Sequence, residues 1–162
     1  MYRRLLLCTD GSDRAQQAAR DGLKLAAALH ASTVALLVSP PFEPPAGYET
    51  TPLAEQILRH ERSSKLAASR ALDAITRRAK VLGVTCKALH IGRYPPAETI
   101  VDTALKERCD LIVLGSHGHG ALSQLLLGSV TTRVAATCTV PVLIVRTPVA
   151  ATRRSRSPRL GT

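Results

Sequence analysis

Short runs of leucine and β-branched residues alternate along the chain with longer stretches whose apolar residues recur every three to four positions. Arg3 to Thr9 reads as a first strand. Beyond Asp10-Gly11-Ser12, the positions Ala15, Ala18, Ala19, Gly22, Leu23, Ala26 and Leu29 fall on one helix face. Ser12 or Asp13 can cap that helix by accepting from its unpaired first-turn amides. Thr33 to Ser39 is a second strand, and residues 40–52, with five prolines, form a loop. A long helix is expected from Leu53 to Leu82, with Ala68, Leu72, Ile75, Ala79 and Leu82 on its apolar side. Cys86 to Ile91 is the third strand. Pro95-Pro96 opens a helix from Ala97 to Arg108, because proline is tolerated where first-turn amides have no helical partner. Leu111 to Leu114 and Val142 to Val145 complete the strands, with a helix over Ser129 to Thr137 between them.

Strand and helix thus alternate four times and close on a strand, which argues for an α/β sandwich around a mainly parallel sheet with right-handed crossovers. The runs Leu111-Ile112-Val113-Leu114 and Val142-Leu143-Ile144-Val145 are apolar throughout, as expected when helices cover both sheet faces. A length of 162 residues suits one domain, over residues 1–147. Residues 148–162, rich in Arg, Ser, Thr, Pro and Ala, have little to bury and read as a disordered basic tail.

Composition narrows the partners. The formal net charge is +10 and the sequence pI near 10.2, which favours polyanions such as nucleotides, nucleic acid or acidic surfaces. Arg153, Arg154, Arg156 and Arg159 carry part of that excess in the tail, so nucleic acid or an acidic partner is expected there and not on the folded part. The aromatic residues Tyr2, Phe42, Tyr48 and Tyr94 are too few and too scattered for a base-stacking platform. No apolar run approaches the roughly 18 residues of a membrane span. The opening Leu5-Leu6-Leu7-Cys8 ends at Thr9-Asp10, too soon for a signal core, so a cytoplasmic location is expected. Cys8, Cys86, Cys109 and Cys138 form no C-x-x-C pair and read as buried, reduced thiols.

In this architecture ligands bind at the carboxyl ends of strands, where strand order reverses. The first strand ends in Thr9-Asp10-Gly11-Ser12, an acceptor carboxylate followed by a turn. The fourth ends in Gly115-Ser116-His117-Gly118-His119-Gly120, with Gly128-Ser129-Val130-Thr131 opening a helix farther on. Glycines admit a ligand close to the backbone, and helix amino-terminal amides with nearby hydroxyls receive anions. No Gly-Lys-Ser/Thr follows the first strand, and Ser123 stands where a G-x-G-x-x-G motif needs its third glycine. The nearest Cys, Asp or Glu to His117-x-His119 are Asp110 and Cys109, a poor set for a transition metal, so no metal site is assigned to the protein itself. Asp10 is the one obvious carboxylate near the pocket, and no catalytic residue is assigned.

The spacing Gly115-x2-Gly118-x9-Gly128-Ser129 resembles the ATP-binding branch of the universal stress protein (UspA-like) family. The resemblance runs from Arg3 to Arg146, through Leu-Leu-Leu-Cys-Thr-Asp-Gly-Ser, Asp-Leu-Ile-Val-Leu-Gly-Ser-His-Gly, Leu-Leu-Leu-Gly-Ser-Val-Thr-Thr-Arg-Val and Val-Pro-Val-Leu-Ile-Val. It implies a three-layer α/β/α sandwich, Rossmann-like and similar to adenine nucleotide alpha hydrolases, with a five-stranded parallel sheet ordered 3-2-1-4-5. It implies that Asp10 reaches the adenosine end, that the Val38 backbone meets adenine, and that Gly115 and Gly118 surround ribose and phosphates. Gly128, Ser129, Val130 and Thr131 would hold the phosphates, with Mg2+ or Mn2+ carried in on them. Many relatives carry Arg where this chain has His119; an imidazole titrates at about pH 6.5, which would make phosphate affinity weaker or more sensitive to pH than the motif implies. The function implied is an ATP-binding, nucleotide-dependent regulatory module in stress response, with slow ATP hydrolysis or autophosphorylation at most. Alternatives are cAMP or AMP as ligand, or an interaction protein acting through its basic tail. The resemblance also implies a homodimer through Val142–Val145.

Overall fold

The computed structural model describes residues 1–43, 52–92, 95–116 and 127–146. Five strands, β1 (Arg4–Thr9), β2 (Ser32–Val38), β3 (Cys86–Ile91), β4 (Leu111–Gly115) and β5 (Val142–Val145), alternate with four helices. The helices are α1 (Asp13–Leu29), α2 (Leu53–Val81), α3 (Pro96–Lys106) and α4 (Ser129–Thr137). All strand pairs are parallel and the sheet order is β3-β2-β1-β4-β5. The α/β sandwich and its strand order are therefore as the pattern and the resemblance together predict.

The two-residue period of a strand divides the core. In β1, Leu5 and Leu7 face one side, where they pack with Ala19, Leu23 and Ala26 of α1 and Leu72, Ile75 and Ala79 of α2. Leu6 and Cys8 face the other, against Ala97, Ile100 and Ala104 of α3 and Val134 of α4. Leu5, Leu6 and Leu7 are all fully buried, each stabilising the fold by about 2 kcal/mol. This explains why a central parallel strand reads as an unbroken apolar run.

Element ends depart slightly from the expected ones, for local reasons. β2 begins at Ser32 because its amide donates to the Arg3 carbonyl at 3.0 Å. α3 stops at Lys106; Arg108 takes a left-handed φ of +54° and the Cys109 amide turns back to the Ala104 carbonyl at 2.8 Å. β4 extends to Gly115 by pairing with Val145. All four cysteines are free, but only Cys8 and Cys109 are buried. Cys86, on an edge strand, and Cys138, at the end of α4, are only partly covered, which corrects the expectation of four buried thiols.

Candidate functional site at the parting of β1 and β4

Sheet order reverses between β1 and β4, and there the two strands separate. Their ladder ends at Leu7↔Val113, whereas β1 stays with β2 to Thr9↔Leu37 and β4 stays with β5 to Gly115↔Val145. The carboxyl ends of β1 and β4 therefore diverge into a cleft at the switch point, where α/β sheets take their ligands.

Asp10 sits at the exit of β1 and is exposed. Its Oδ1 accepts from the Ser12 amide at 3.0 Å and the Ser12 hydroxyl at 2.6 Å. Ser12 in turn caps α1 by accepting from the Ala15 amide at 3.3 Å, so Ser12 and not Asp13 is the cap. Gly11 has φ +87°, a left-handed conformation that glycine adopts without strain, and this turns the chain from β1 into α1. The Gly11 amide donates back to Thr9 Oγ1 at 3.0 Å.

Val38 is the last residue of β2 and pairs with Ile91. The next amide, that of Ser39, donates to the Ile91 carbonyl at 3.0 Å on the β3 side. The Val38 carbonyl belongs to the same planar trans peptide and so points the opposite way, towards β1, one residue beyond the last β1–β2 pair. It is an acceptor aimed at the space above the end of β1.

At the far wall the Ser116 amide donates to the Val145 carbonyl at 2.9 Å, and the Ser116 carbonyl accepts from the Gly128 amide at 2.8 Å. That second bond draws the start of α4 over the end of β4. Gly128 is the residue before the helix, and the amides of Ser129, Val130 and Thr131 occupy its first turn, where no intrahelical acceptor exists. The buried Thr131 hydroxyl donates to the Gly115 carbonyl at 2.9 Å, pinning helix to strand. Thr131 thereby anchors the first turn of α4 to β4, while Ser129 is exposed.

Asp10, Val38, Gly115, Gly128, Ser129, Val130 and Thr131 thus lie on the turns and element ends around the β1/β4 parting. Gly118, His117 and His119 lie outside the described residues. Among the described residues no cluster of His, Cys, Asp and Glu could hold a metal ion. Beneath the cleft, burial pushes the Cys8 thiol well above its ordinary range, with Cys109 and Cys138 adding to the shift, so it stays neutral and takes no part in ionic chemistry. Ser116, which the sequence pattern does not single out from its neighbours, joins β4, β5 and α4 through its backbone.

The parallel order, the switch-point cleft and the helix amino terminus above it define a Rossmann-like α/β protein. The chain matches the Universal stress protein family over residues 1–146 and belongs to it. It is 38% identical over 149 residues to a universal stress protein of Thermus aquaticus, covering 90% of this chain and 100% of that one. The solved structure of protein MJ0577 of Methanocaldococcus jannaschii superimposes with a TM-score of 0.73 at 28% identity, covering 93% and 99% of the two chains. A universal stress protein crystallised in complex with cAMP has a TM-score of 0.65 at 25% identity, covering 90% and 97%. No described helix is long and apolar enough to cross a membrane.

Proposed function

We propose that this protein is a cytoplasmic, ATP-binding universal stress protein, a regulatory module whose nucleotide occupancy changes a partner surface or stabilises a dimer. The observation that carries this reading is the parting of β1 and β4 beneath the α4 amino terminus, with the Val38 carbonyl on the opposite side. In this reading the Val38 backbone and Asp10 take the adenosine end. Gly115 and Gly118 admit ribose and phosphates, and Gly128, Ser129, Val130 and Thr131 hold the phosphates by first-turn amides and the Ser129 hydroxyl. These donors suit an anion and include few hard oxygen ligands, so Mg2+ or Mn2+ would arrive on the phosphates and keep most of its waters. Among the described residues Asp10 is the carboxylate at the site, its Oδ1 engaged by Ser12, and this reading gives it to the adenosine end, which favours binding with slow turnover at most. The folded domain would end at residue 147, the basic segment 148–162 would be dispensable for binding, and two copies would join through Val142–Val145.

The likeness to a protein solved with cAMP supports a second reading in which a monophosphate is the resident ligand. Both are tested by denaturing the purified protein and identifying released nucleotide by chromatography and mass spectrometry, then titrating ATP, AMP and cAMP calorimetrically. The double substitution Gly118→Val and Gly128→Val should abolish ATP binding by filling the phosphate bed. Unchanged binding in a folded double variant would show that the site lies elsewhere.

A further inference from the structure

Three polar side chains, one at the exit of β2, one from β3 and one from α2, meet behind Val38. Ser39 Oγ lies 2.7 Å from His90 Nε2 of β3, and the Ser64 hydroxyl of α2 donates to Ser39 Oγ at 2.9 Å. Ser39 is buried, so its hydroxyl is satisfied by protein partners in place of bulk solvent. Its amide is bonded to the Ile91 carbonyl at the same time. Four residues farther back on α2 from Ser64, His60 packs on Phe42 with ring centroids 5.3 Å apart, so the segment leaving β2 is gripped at two points by the same helix.

Residue 39 is therefore held by both its N–H and its side chain. The Val38 carbonyl shares a rigid peptide plane with that N–H, so fixing Ser39 fixes the direction of the carbonyl. A carbonyl only accepts hydrogen bonds. It matches the exocyclic amino group of adenine, a donor, and opposes the carbonyl that guanine presents at the equivalent position.

We propose that Ser39, His90 and Ser64 are positioning residues that hold the Val38–Ser39 peptide with its carbonyl facing the cleft, and that this clasp makes the site select adenine over guanine nucleotides. The inference rests on the adenine-nucleotide reading above, and extends it to residues that do not touch the ligand. A clasp that merely supported the fold would weaken every ligand alike. A clasp that aims one acceptor changes the choice of base and leaves phosphate binding as it was.

The test is to titrate the full-length protein and its Ser39→Ala, His90→Leu, His90→Gln and Ser64→Ala variants with ATP, GTP and inorganic tripolyphosphate. The unmodified protein should prefer ATP. Ser39→Ala and His90→Leu should lower the ATP-over-GTP ratio about tenfold, the worth of one well-aligned hydrogen bond. Their tripolyphosphate affinity should stay within about twofold of the original, a change too small to count as a lost hydrogen bond. His90→Gln keeps a polar group in reach of Ser39 and should restore most of the preference. Ser64→Ala, which removes only the outer bond, should shift the ratio in the same direction by less, and it remains informative if Ser39→Ala fails to fold. An unchanged ratio in folded variants, or an equal loss for all three ligands, overturns the inference. Equal binding of ATP and GTP by the unmodified protein overturns it too, while leaving nucleotide binding intact. Failure of the unmodified protein to bind any nucleotide refutes the functional reading itself.

Discussion

Gly22 shows how close α1 lies to the sheet. A Cβ placed there would stand 2.6 Å from Leu7 Cδ2 and 3.2 Å from Val113 Cγ1, both on fully buried side chains. Alanine would gain about 1 kcal/mol of helix propensity over glycine, but overpacking a tight core costs about 1–3 kcal/mol. Gly22→Ala should therefore destabilise modestly and Gly22→Val severely, as urea denaturation would measure. A more stable Gly22→Ala variant would show that Leu7 has room to move. Thr131→Val deletes the donor to the Gly115 carbonyl. It should cost about 1–2 kcal/mol in denaturation and also weaken nucleotide binding, since α4 loses its tie to β4. Normal affinity in a destabilised Thr131→Val variant would separate that tie from ligand binding. Asp10, Gly115, Gly128, Ser129 and Thr131 were legible in the sequence as candidates because each sits where a strand or helix pattern starts or stops. The partners of Ser39 were not: His90 and Ser64 are 51 and 25 positions away, and only the packing of α2 over β2 and β3 brings them together.

The elements themselves were legible for a reason the structure makes plain. Apolar period and burial coincide in α1, whose buried residues are Ala15, Ala18, Ala19, Gly22, Leu23 and Ala26. Element ends were less so, because they depend on contacts between distant segments. At the amino-terminal end of the sheet, the Asp110 carboxylate accepts from the Arg3 and Arg4 amides at 2.7 and 2.9 Å. Glu107, just past α3, pairs with Lys87 of β3 at 2.7 Å and Arg4 of β1 at 2.9 Å, one carboxylate joining three segments. The hydrogen bond from Lys87, more than any other contact, holds the Glu107 carboxyl below its ordinary range, with Arg4 adding to the effect. A carboxyl depressed in the folded state contributes stability above its unfolded pKa, near about 4.3, and loses it as pH falls through the folded value. Glu107→Gln should accordingly lower the urea midpoint at pH 7 and flatten its fall in acid, so that the two proteins converge once the pH has fallen through the folded-state value. Parallel curves across that range would show that the pairing has no bearing on folding. Burial acts the other way on Cys109, raising its thiol to about 11. A thiol raised in the folded state is most favourable below its unfolded pKa, near about 8.5, so it costs stability as pH climbs above that value.

At the scale of the whole molecule, alternation of strands and helices implied a parallel sheet, but periodicity carries no information on which strands are neighbours. The order came from the family resemblance, and the observed ladders agree with it. That order leaves β3 and β5 as the two edges, and they differ in chemistry. β3 carries Lys87, a charge of the kind that discourages further pairing. β5 is Val142-Leu143-Ile144-Val145 with no polar residue, and Leu143 is 38% exposed. Among the described residues no strand pairs with its outer side. An apolar edge of this kind is an aggregation hazard unless it is covered, and an antiparallel pair with β5 of a second copy would cover it under two-fold symmetry. A two-fold axis through the strand sets each residue of one copy near the corresponding stretch of the other, so charges placed there repel. Leu143→Lys with Val145→Lys should therefore convert a dimer into monomer or insoluble protein, whereas removing residues 150–162 should leave both assembly and ATP affinity as they were. Light scattering of the unmodified protein at tens of micromolar decides it: a monomer mass would remove β5 as an interface, and a dimer that survives both lysines would place the contact on another face.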